Sequence, residues 1–249
     1  MLIHAVHSII SVVDSARIPD VFRGAVITID GPAGSGKSTT ARRLAERIGF
    51  DYLDTGAMYR TVTLLVGRRH CDLADRDRLS AVLDEFDSRF VIRQDHDRGV
   101  RAYLDEEDVT DLVRTPVVDA QVSAVAALPE VRERLVRWQR RRAAQGNVVL
   151  EGRDTGTVVW PDADVKIYLE ASLAERASRR SRERGGGEDS EQLQRDMARR
   201  DRADSTRAHG PLRKPDDAIT VDTSSLTIDE QIHEVYRICH EQLRLNRAR

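Results

Sequence analysis

Apolar residues in this chain occur in two formats, short unbroken runs and stripes at helical spacing, and the two alternate along most of its length. The runs Ala25-Val26-Ile27-Thr28-Ile29-Asp30, Phe50-Asp51-Tyr52-Leu53, Asn147-Val148-Val149-Leu150-Glu151, Asp164 to Leu169 and Ala218 to Asp222 predict buried strands. The stripe Ala41, Leu44, Ala45, Ile48 predicts a helix that starts near Gly36 or Lys37 and is capped by Gly49. Further helices are predicted from about Ala57 to Gly67, over 75–86 with Leu79, Val82, Leu83 and Phe86 on one face, over 115–126, and from Pro129 to about Gln145. In the last of these Val131, Leu135 and Trp138 read as core, and Gly146 as the cap. Leu173 to Arg184 and Glu191 to about Arg202 are helical with Gly185-Gly186-Gly187 between them. Thr227-Ile228-Asp229-Glu230 is a capping box that opens the final helix. Phe90 to Ile92, Val100 to Leu104 and Glu107 to Thr110 look like three short strands, the first two joined by a turn at 95–99.

Strands alternating with helices predict an α/β fold with a parallel sheet whose ligands lie beyond the carboxyl ends of the strands. The small antiparallel pieces predict an inserted subdomain. Four segments follow strands and are expected to line one crevice: 31–38, Asp54-Thr55-Gly56, Gly152-Arg153-Asp154 and Asp222-Thr223-Ser224.

The first of these carries the chemistry. Gly31-Pro32-Ala33-Gly34-Ser35-Gly36-Lys37-Ser38 fits G-x-x-x-x-G-K-[ST], the phosphate-cradling P-loop, in a chain with only three lysines. Backbone N–H groups of such a loop approach phosphate oxygens, and the positive end of the following helix faces the anion. Gly31 to Ser38 and Thr39 are therefore candidate ATP contacts. Lys37 would hold the β- and γ-phosphates, and the Ser38 hydroxyl would point at Mg²⁺. Asp30, just before the loop, reads either as a water-mediated Mg²⁺ positioner or as a structural strand end.

Composition narrows the setting. Among 249 residues the net charge is −2, which argues against a nucleic-acid polymer as partner, and two cysteines are too few for a disulfide framework. Both points suit a cytoplasmic protein. Leu2 to Val13 is too short to span a membrane and lacks a signal-peptide pattern. Residues 1–23 read as a poorly ordered extension or an over-extended translation start, with an added helix or arm as the alternative. Arginine supplies 37 of the 40 basic residues, so each arginine needs a positional argument.

Several P-loop classes fall away. No N-K-x-D reads guanine, no L-S-G-G-Q is present, and Val148-Val149-Leu150-Glu151 ends in Glu where a Mg²⁺-binding Asp would be expected of a motor. Small kinases are left. Asp54-Thr55-Gly56-Ala57-Met58-Tyr59-Arg60 resembles the D-[ST]-G-A-x-Y-R motif of bacterial cytidylate kinases, and Glu151-Gly152-Arg153-Asp154-Thr155-Gly156-Thr157-Val158-Val159 resembles their [ED]-G-R-D-x-G-T-V-V motif. Arg200-Asp201 with Asp204-Ser205-Thr206-Arg207 resembles their R-D-x-x-D-x-x-R element. With the P-loop and Val221-Asp222-Thr223-Ser224, the similarity runs from about Ala25 to the last helix.

That resemblance implies a P-loop NTPase-type parallel sheet flanked by helices, with a nucleoside monophosphate-binding insert and a short lid. It implies transfer of phosphate from ATP to CMP or dCMP with Mg²⁺, by a monomer with no membrane partner. Residue by residue, Arg60, Arg153 and Arg207 match the family's monophosphate-side arginines, and Arg132 and Arg200 match further CMP contacts. Asp154 matches the position beside the base, where a carboxylate can accept from cytosine's amine, with Arg132 and Thr55 on the base edge. Ser123 and Asp204 match ribose contacts. Arg176 and Arg180, at i and i+4, resemble lid arginines that clamp ATP, with 185–187 as the mobile tip. The implied division is an extension at 1–23, a core of 24–54, 113–177 and 196–249, an insert of about 55–112 and a lid of about 178–195. A kinase for UMP or a non-nucleotide acid, and a binding module without transfer, are the rival readings.

Overall fold

The computed structural model of the chain describes residues 18–95, 99–183, 185–187 and 189–248. The chain divides into two compact units, one of 55–137 and one of the described parts of 14–54 and 138–249.

The second unit is built on a parallel sheet. Its strands are β1 (Val26–Asp30), β2 (Asp51–Asp54), β6 (Val148–Gly152), β7 (Val165–Glu170) and β8 (Ile219–Asp222), in the order β2-β6-β1-β7-β8. Every pairing in it is parallel. All residues of β1 and β6 are buried, which is why these strands read as unbroken apolar runs rather than as alternating ones. Helix α1 (Lys37–Ile48) buries Ala41, Leu44, Ala45 and Ile48 and ends at Gly49, as expected. Helix α8 (Ile228–Arg247) opens with both bonds of the Thr227/Glu230 capping box and buries Ile232, Val235, Ile238, Cys239 and Leu243.

Residues 1–17 of the expected extension lie outside the described residues. Residues 18–23 join the core. Asp20–Phe22 forms a 3-10 turn whose Phe22 ring is fully buried and packs edge-on to Phe50, 6.3 Å between centroids, and 5.6 Å from Tyr236. Burying one phenylalanine is worth roughly 1.5–3 kcal/mol, enough to hold so short a segment.

The first unit holds α2 (Thr55–Arg68), α3 (Arg76–Arg89), an antiparallel sheet of β3 (Phe90–Asp95), β4 (Gly99–Leu104) and β5 (Glu107–Asp108), then α4 (Pro116–Ala127) and most of α5 (Pro129–Ala143). The turn predicted at 95–99 falls partly on 96–98, outside the described residues. The predicted strand 107–110 stops at Asp108 for a local reason. The Asp108 carboxylate accepts from Thr110 N–H at 3.1 Å, and Thr110 Oγ1 accepts from Ala102 N–H at 2.8 Å, so beyond the Val109 N–H to Ala102 O bond side chains take over from the ladder. Helix α2 begins at Thr55, making the expected Asp54-Thr55-Gly56 turn part of its first turn.

Two further elements follow β7, α6 (Leu173–Glu183) and α7 (Ser190–Thr206). Asp189 caps α7 through Glu191 and Gln192 N–H, and the helix runs past the predicted end at Arg202 to carry Asp204. After β6 the chain makes a π-helical turn, Thr155–Val159, that no periodicity announces.

Within the sheet unit a buried ion pair joins the last turn of α5 to β2. Arg142 Nη2 donates to Asp51 Oδ2, with side chains 7% and 6% exposed, and Arg142 Nη1 donates to Gly146 O at 3.0 Å. Removing one partner strands the other charge in the interior. Arg142→Ala is expected to lower unfolding free energy by about 3–5 kcal/mol in urea titrations; a loss below about 1 kcal/mol would contradict the assignment.

Candidate active site

The P-loop leaves β1 at Asp30 and returns into α1 at Lys37. Its own groups hold its shape: Lys37 Nζ donates to Pro32 O at 2.7 Å and Ser35 Oγ donates to the same carbonyl at 3.1 Å. A support that sequence reading missed holds the Ser35 carbonyl. Gln231 Nε2 donates to it at 3.4 Å and to Thr40 Oγ1 at 2.6 Å, while Thr223 Oγ1, whose single proton has a nearer acceptor in Glu170 O at 2.9 Å, lies 3.3 Å from it. Thus Asp222-Thr223-Ser224, singled out as a crevice segment, lies against the P-loop through Thr223. Gly34 has φ +76°, and a Cβ there would lie 2.9 Å from Met197 Cε and 3.0 Å from Arg176 O. Helices α6 and α7 therefore pack against the loop tip, with Ala33 resting on Ala177, Leu193 and Met197. Thr39 is half-buried in the first turn of α1.

Charged side chains meet beneath this loop. Ser38 Oγ donates to Glu151 Oε1 at 2.7 Å, and Tyr52 OH donates to the same oxygen at 3.2 Å. Burial pushes the Lys37 ammonium down to about 7, helped by Arg153 and opposed by Glu151 and Asp30. Burial and Asp54 push the Glu151 carboxyl up to about 7, against the pull of Lys37. Each group is the other's main relief from desolvation. A triphosphate placed against Lys37 would restore its positive charge by the same Coulombic logic.

Glu151 is a site residue that the sequence reading passed over, because it stands where an Asp was sought. The signal was there: a carboxylate at the end of a buried run beside the P-loop strand. Ser38 Oγ and Glu151 together are hard oxygen donors of the kind Mg²⁺ takes. Among the described residues no cluster of three or more His, Cys, Asp or Glu could hold a metal ion.

Asp30 resolves differently from its first alternative. Both of its oxygens are occupied by Thr155 and Gly156 of the π-helical turn, at 2.8–2.9 Å, and the side chain is 1% exposed. Burial raises its pKa and the three donors oppose that rise. This is the structural strand-end role.

Turn 152–154 and helix α7 are laced by crossed ion pairs. Arg153 Nε donates to Asp204 Oδ2 at 3.1 Å, while Arg207 Nη2 donates to Asp154 Oδ1 at 3.4 Å. Burial alone would lower the Arg153 pKa, but Asp204, Glu151 and Asp201 hold it raised. Arg200 lies near enough to Lys37 to press on its charge. Arg176 is buried, donating to Ala171 O, to Ala33 O in the P-loop and, at 2.6 Å, to Asp201 Oδ2. Arg180, one turn on, instead meets Glu183 at 3.1 Å and is partly exposed. Gly185 to Gly187 are exposed, and a Cβ on any of them would meet nothing within 4 Å.

The remaining expected contacts belong to the 55–137 unit. Thr55 and Arg60 lie on α2, Ser123 on α4 and Arg132 on α5. Arg60 Nη1 donates to Asp119 Oδ1 at 2.5 Å, a partner no local pattern reveals. Arg132 is buried beside Tyr59, donating to its OH at 3.3 Å, with the guanidinium carbon 5.8 Å from the ring centroid. Thr55 is buried and Ser123 half-buried.

A P-loop on one strand of a parallel sheet, with an arginine-bearing turn on the neighbouring strand and further arginines on and just after α7, is the arrangement of a P-loop phosphate-binding protein, and the comparisons with known proteins make it a kinase. The cytidylate kinase family model matches residues 27–241. A cytidylate kinase from Carboxydothermus hydrogenoformans is 48% identical over 215 residues, covering 85% of this chain and 96% of its own. One from Pelotomaculum thermopropionicum is 49% identical over 83% of this chain and 92% of its own. One from Nocardia farcinica is 49% identical over 88% and 94%. The chain belongs to the cytidylate kinase family.

Gly34→Ala tests the packing of α6 and α7 on the loop. Strain at a positive φ together with the clash against Met197 is expected to cost about 1–3 kcal/mol in thermal or urea unfolding and to raise the KM for ATP. Wild-type stability and KM would contradict it.

Proposed function

We propose that the chain transfers the γ-phosphoryl group of ATP to CMP and dCMP, directly and in line, giving ADP with CDP or dCDP. The observation that carries this reading is the family match across 27–241 in a chain whose P-loop and Gly152-Arg153-Asp154 turn stand on adjacent, in-register strands.

Phosphoryl transfer asks a protein mainly for positioning and charge neutralisation. Residues 31–39 cradle the ATP phosphates, with Lys37 bridging β and γ, and Arg176 and Arg180 act from the lid side. Mg²⁺, held by Ser38 with ATP oxygens and water, would supply further charge neutralisation. Arg60, Arg153 and Arg207 hold the CMP monophosphate. Each is already paired, with Asp119, Asp204 and Asp154, and a guanidinium's five N–H donors leave several for a phosphate. Asp154, Arg132 and Thr55 read the base, Ser123 and Asp204 the ribose, and Arg200 adds a CMP contact. About 55–112 serves as the monophosphate-binding insert and about 178–195 as the lid. The enzyme acts as a monomer in the cytoplasm, and its two free, buried cysteines suit a reducing compartment.

An acceptor panel with ATP consumption as readout tests the assignment. CMP and dCMP should be phosphorylated far faster than UMP, AMP, GMP or a non-nucleotide acid; turnover confined to any of the others would overturn it. Lys37→Ala should lower kcat by about 10²–10³-fold or more with melting behaviour retained. Asp154→Ala should erode the preference for CMP over UMP by roughly 5- to 150-fold, the worth of a buried polar group left unpaired. A mutant that keeps full preference would reject its role in reading the base.

A further inference from the structure

The P-loop strand and the base-reading turn share one buried carboxylate. β1 ends at Asp30, which stands opposite Gly152 of β6 in the parallel register. From there Asp30 reaches the segment just beyond Asp154. Its Oδ1 accepts from Thr155 N–H at 2.9 Å and from Thr155 Oγ1 at 2.8 Å, and its Oδ2 accepts from Gly156 N–H at 2.8 Å. The approach leaves no room for a side chain: a Cβ on Gly156 would lie 2.9 Å from Thr28 Oγ1 and 3.1 Å from Pro215 Cγ. Asp154 itself is pinned from its other side. Its carbonyl accepts from Val158 N–H at 2.9 Å and from Val159 N–H at 3.2 Å; the latter, with Trp160 N–H to Thr155 O at 2.8 Å, is the i to i+5 bonding that makes the turn a π-helix. Arg140 closes the far end, donating to Val159 O at 3.0 Å and Val158 O at 2.7 Å. Single π-helical turns are rare and concentrate at functional sites. This one starts at the residue after Asp154, so its anchor helps to set where the Asp154 backbone sits, while Arg207 Nη2 meets the carboxylate itself at 3.4 Å.

We propose that Asp30 is a positioning residue for base selection: by clasping Thr155 and Gly156 it aims Asp154 at the base of the acceptor nucleotide. The inference rests on the reading of Asp154 given above and goes beyond it. It links the strand that bears the ATP loop to the fidelity with which the acceptor is chosen. It also separates Asp30 from the ion. Both Asp30 oxygens are committed to the turn, whereas Ser38 and Glu151 face each other beside the P-loop.

Asp30→Asn tests this. An amide keeps one acceptor oxygen but turns an NH₂ towards a backbone N–H of the turn. The expected result is a fall of about tenfold or more in the ratio of kcat/KM for CMP to that for UMP, since small misplacements of a reading group are costly. CMP and UMP dissociation constants should converge to match. The KM for ATP should change by less than the CMP-to-UMP ratio, because the P-loop's own bonds are untouched and only the Coulombic support that Asp30 gives Lys37 is lost, and the Mg²⁺ concentration for half-maximal rate should stay within about twofold. Should Asp30→Asn fail to fold, Thr155→Val removes one donor of the three at nearly constant volume. It should move the same ratio in the same direction, by about threefold, the worth of one modest hydrogen bond. Asp154→Ala run alongside distinguishes the two layers. If it abolishes the preference while Asp30→Asn or Thr155→Val leaves it intact, the role of Asp30 is refuted and the reading of Asp154 survives. If Asp154→Ala leaves the preference unchanged, both fall. A raised Mg²⁺ requirement with unaltered preference in Asp30→Asn would overturn the proposal in favour of an ion-positioning role.

Discussion

Parallel pairing of β1 with β6, Asp30 against Gly152, is the constraint on which the site depends. Parallel strands end on the same edge of the sheet, so two loops that are far apart in sequence leave it side by side. One becomes the P-loop and the other the Gly152-Arg153-Asp154 turn. A slip of one residue in this register would bury different side chains and remove Asp30 from Thr155 and Gly156. The buried apolar faces of β1 and β6 resist such a slip, and so the hydrophobic core maintains the alignment of groups that are themselves polar.

Those groups are costly to bury. Lys37, Glu151, Asp30, Asp154 and Asp204 are all nearly inaccessible, and Arg153 is largely covered. Charges in such a place survive only when paired or hydrogen-bonded. Here they are satisfied in chains: Lys37 by the Pro32 carbonyl and Glu151, Glu151 by Ser38 and Tyr52, Asp30 by the π-helical turn, Arg153 by Asp204, Asp154 by Arg207. The arrangement is preorganised. Donors and charges are held in a water-poor setting by other parts of the fold, so little reorganisation is left for the moment of transfer. The P-loop is braced from outside as well, by Gln231 on α8 and by the α6–α7 pair against Ala33 and Gly34.

What could be read in advance follows from the range of the interactions. The buried strands, the stripe on α1 and the capping box of α8 were legible because each depends on neighbours within a few residues. The P-loop and the arginine motifs were legible because their spacing is itself the chemistry. The π-helical turn at Thr155–Val159 was not, since its conformation is set by Asp30, 125 residues earlier in the chain. Arg60 could be singled out but not its partner Asp119, which comes from another helix. Glu151 was in view and undervalued: its partnership with Ser38 exists only once β1 and β6 have paired. Arg176 could be singled out by helical spacing with Arg180, but not its bonds to Asp201 and the Ala33 carbonyl, which come from α7 and the P-loop.

The loop on β1 and the turn on β6 leave adjacent strands, and the proposed reaction places donor phosphate on the first and acceptor phosphate on the second. A bisubstrate inhibitor in which adenosine and cytidine are joined 5′ to 5′ through a chain of phosphates tests that claim most directly. Titration calorimetry and inhibition kinetics should show one molecule bound per chain, competing with ATP and with CMP alike. Competition with ATP alone, or independent binding of two molecules per chain, would contradict it.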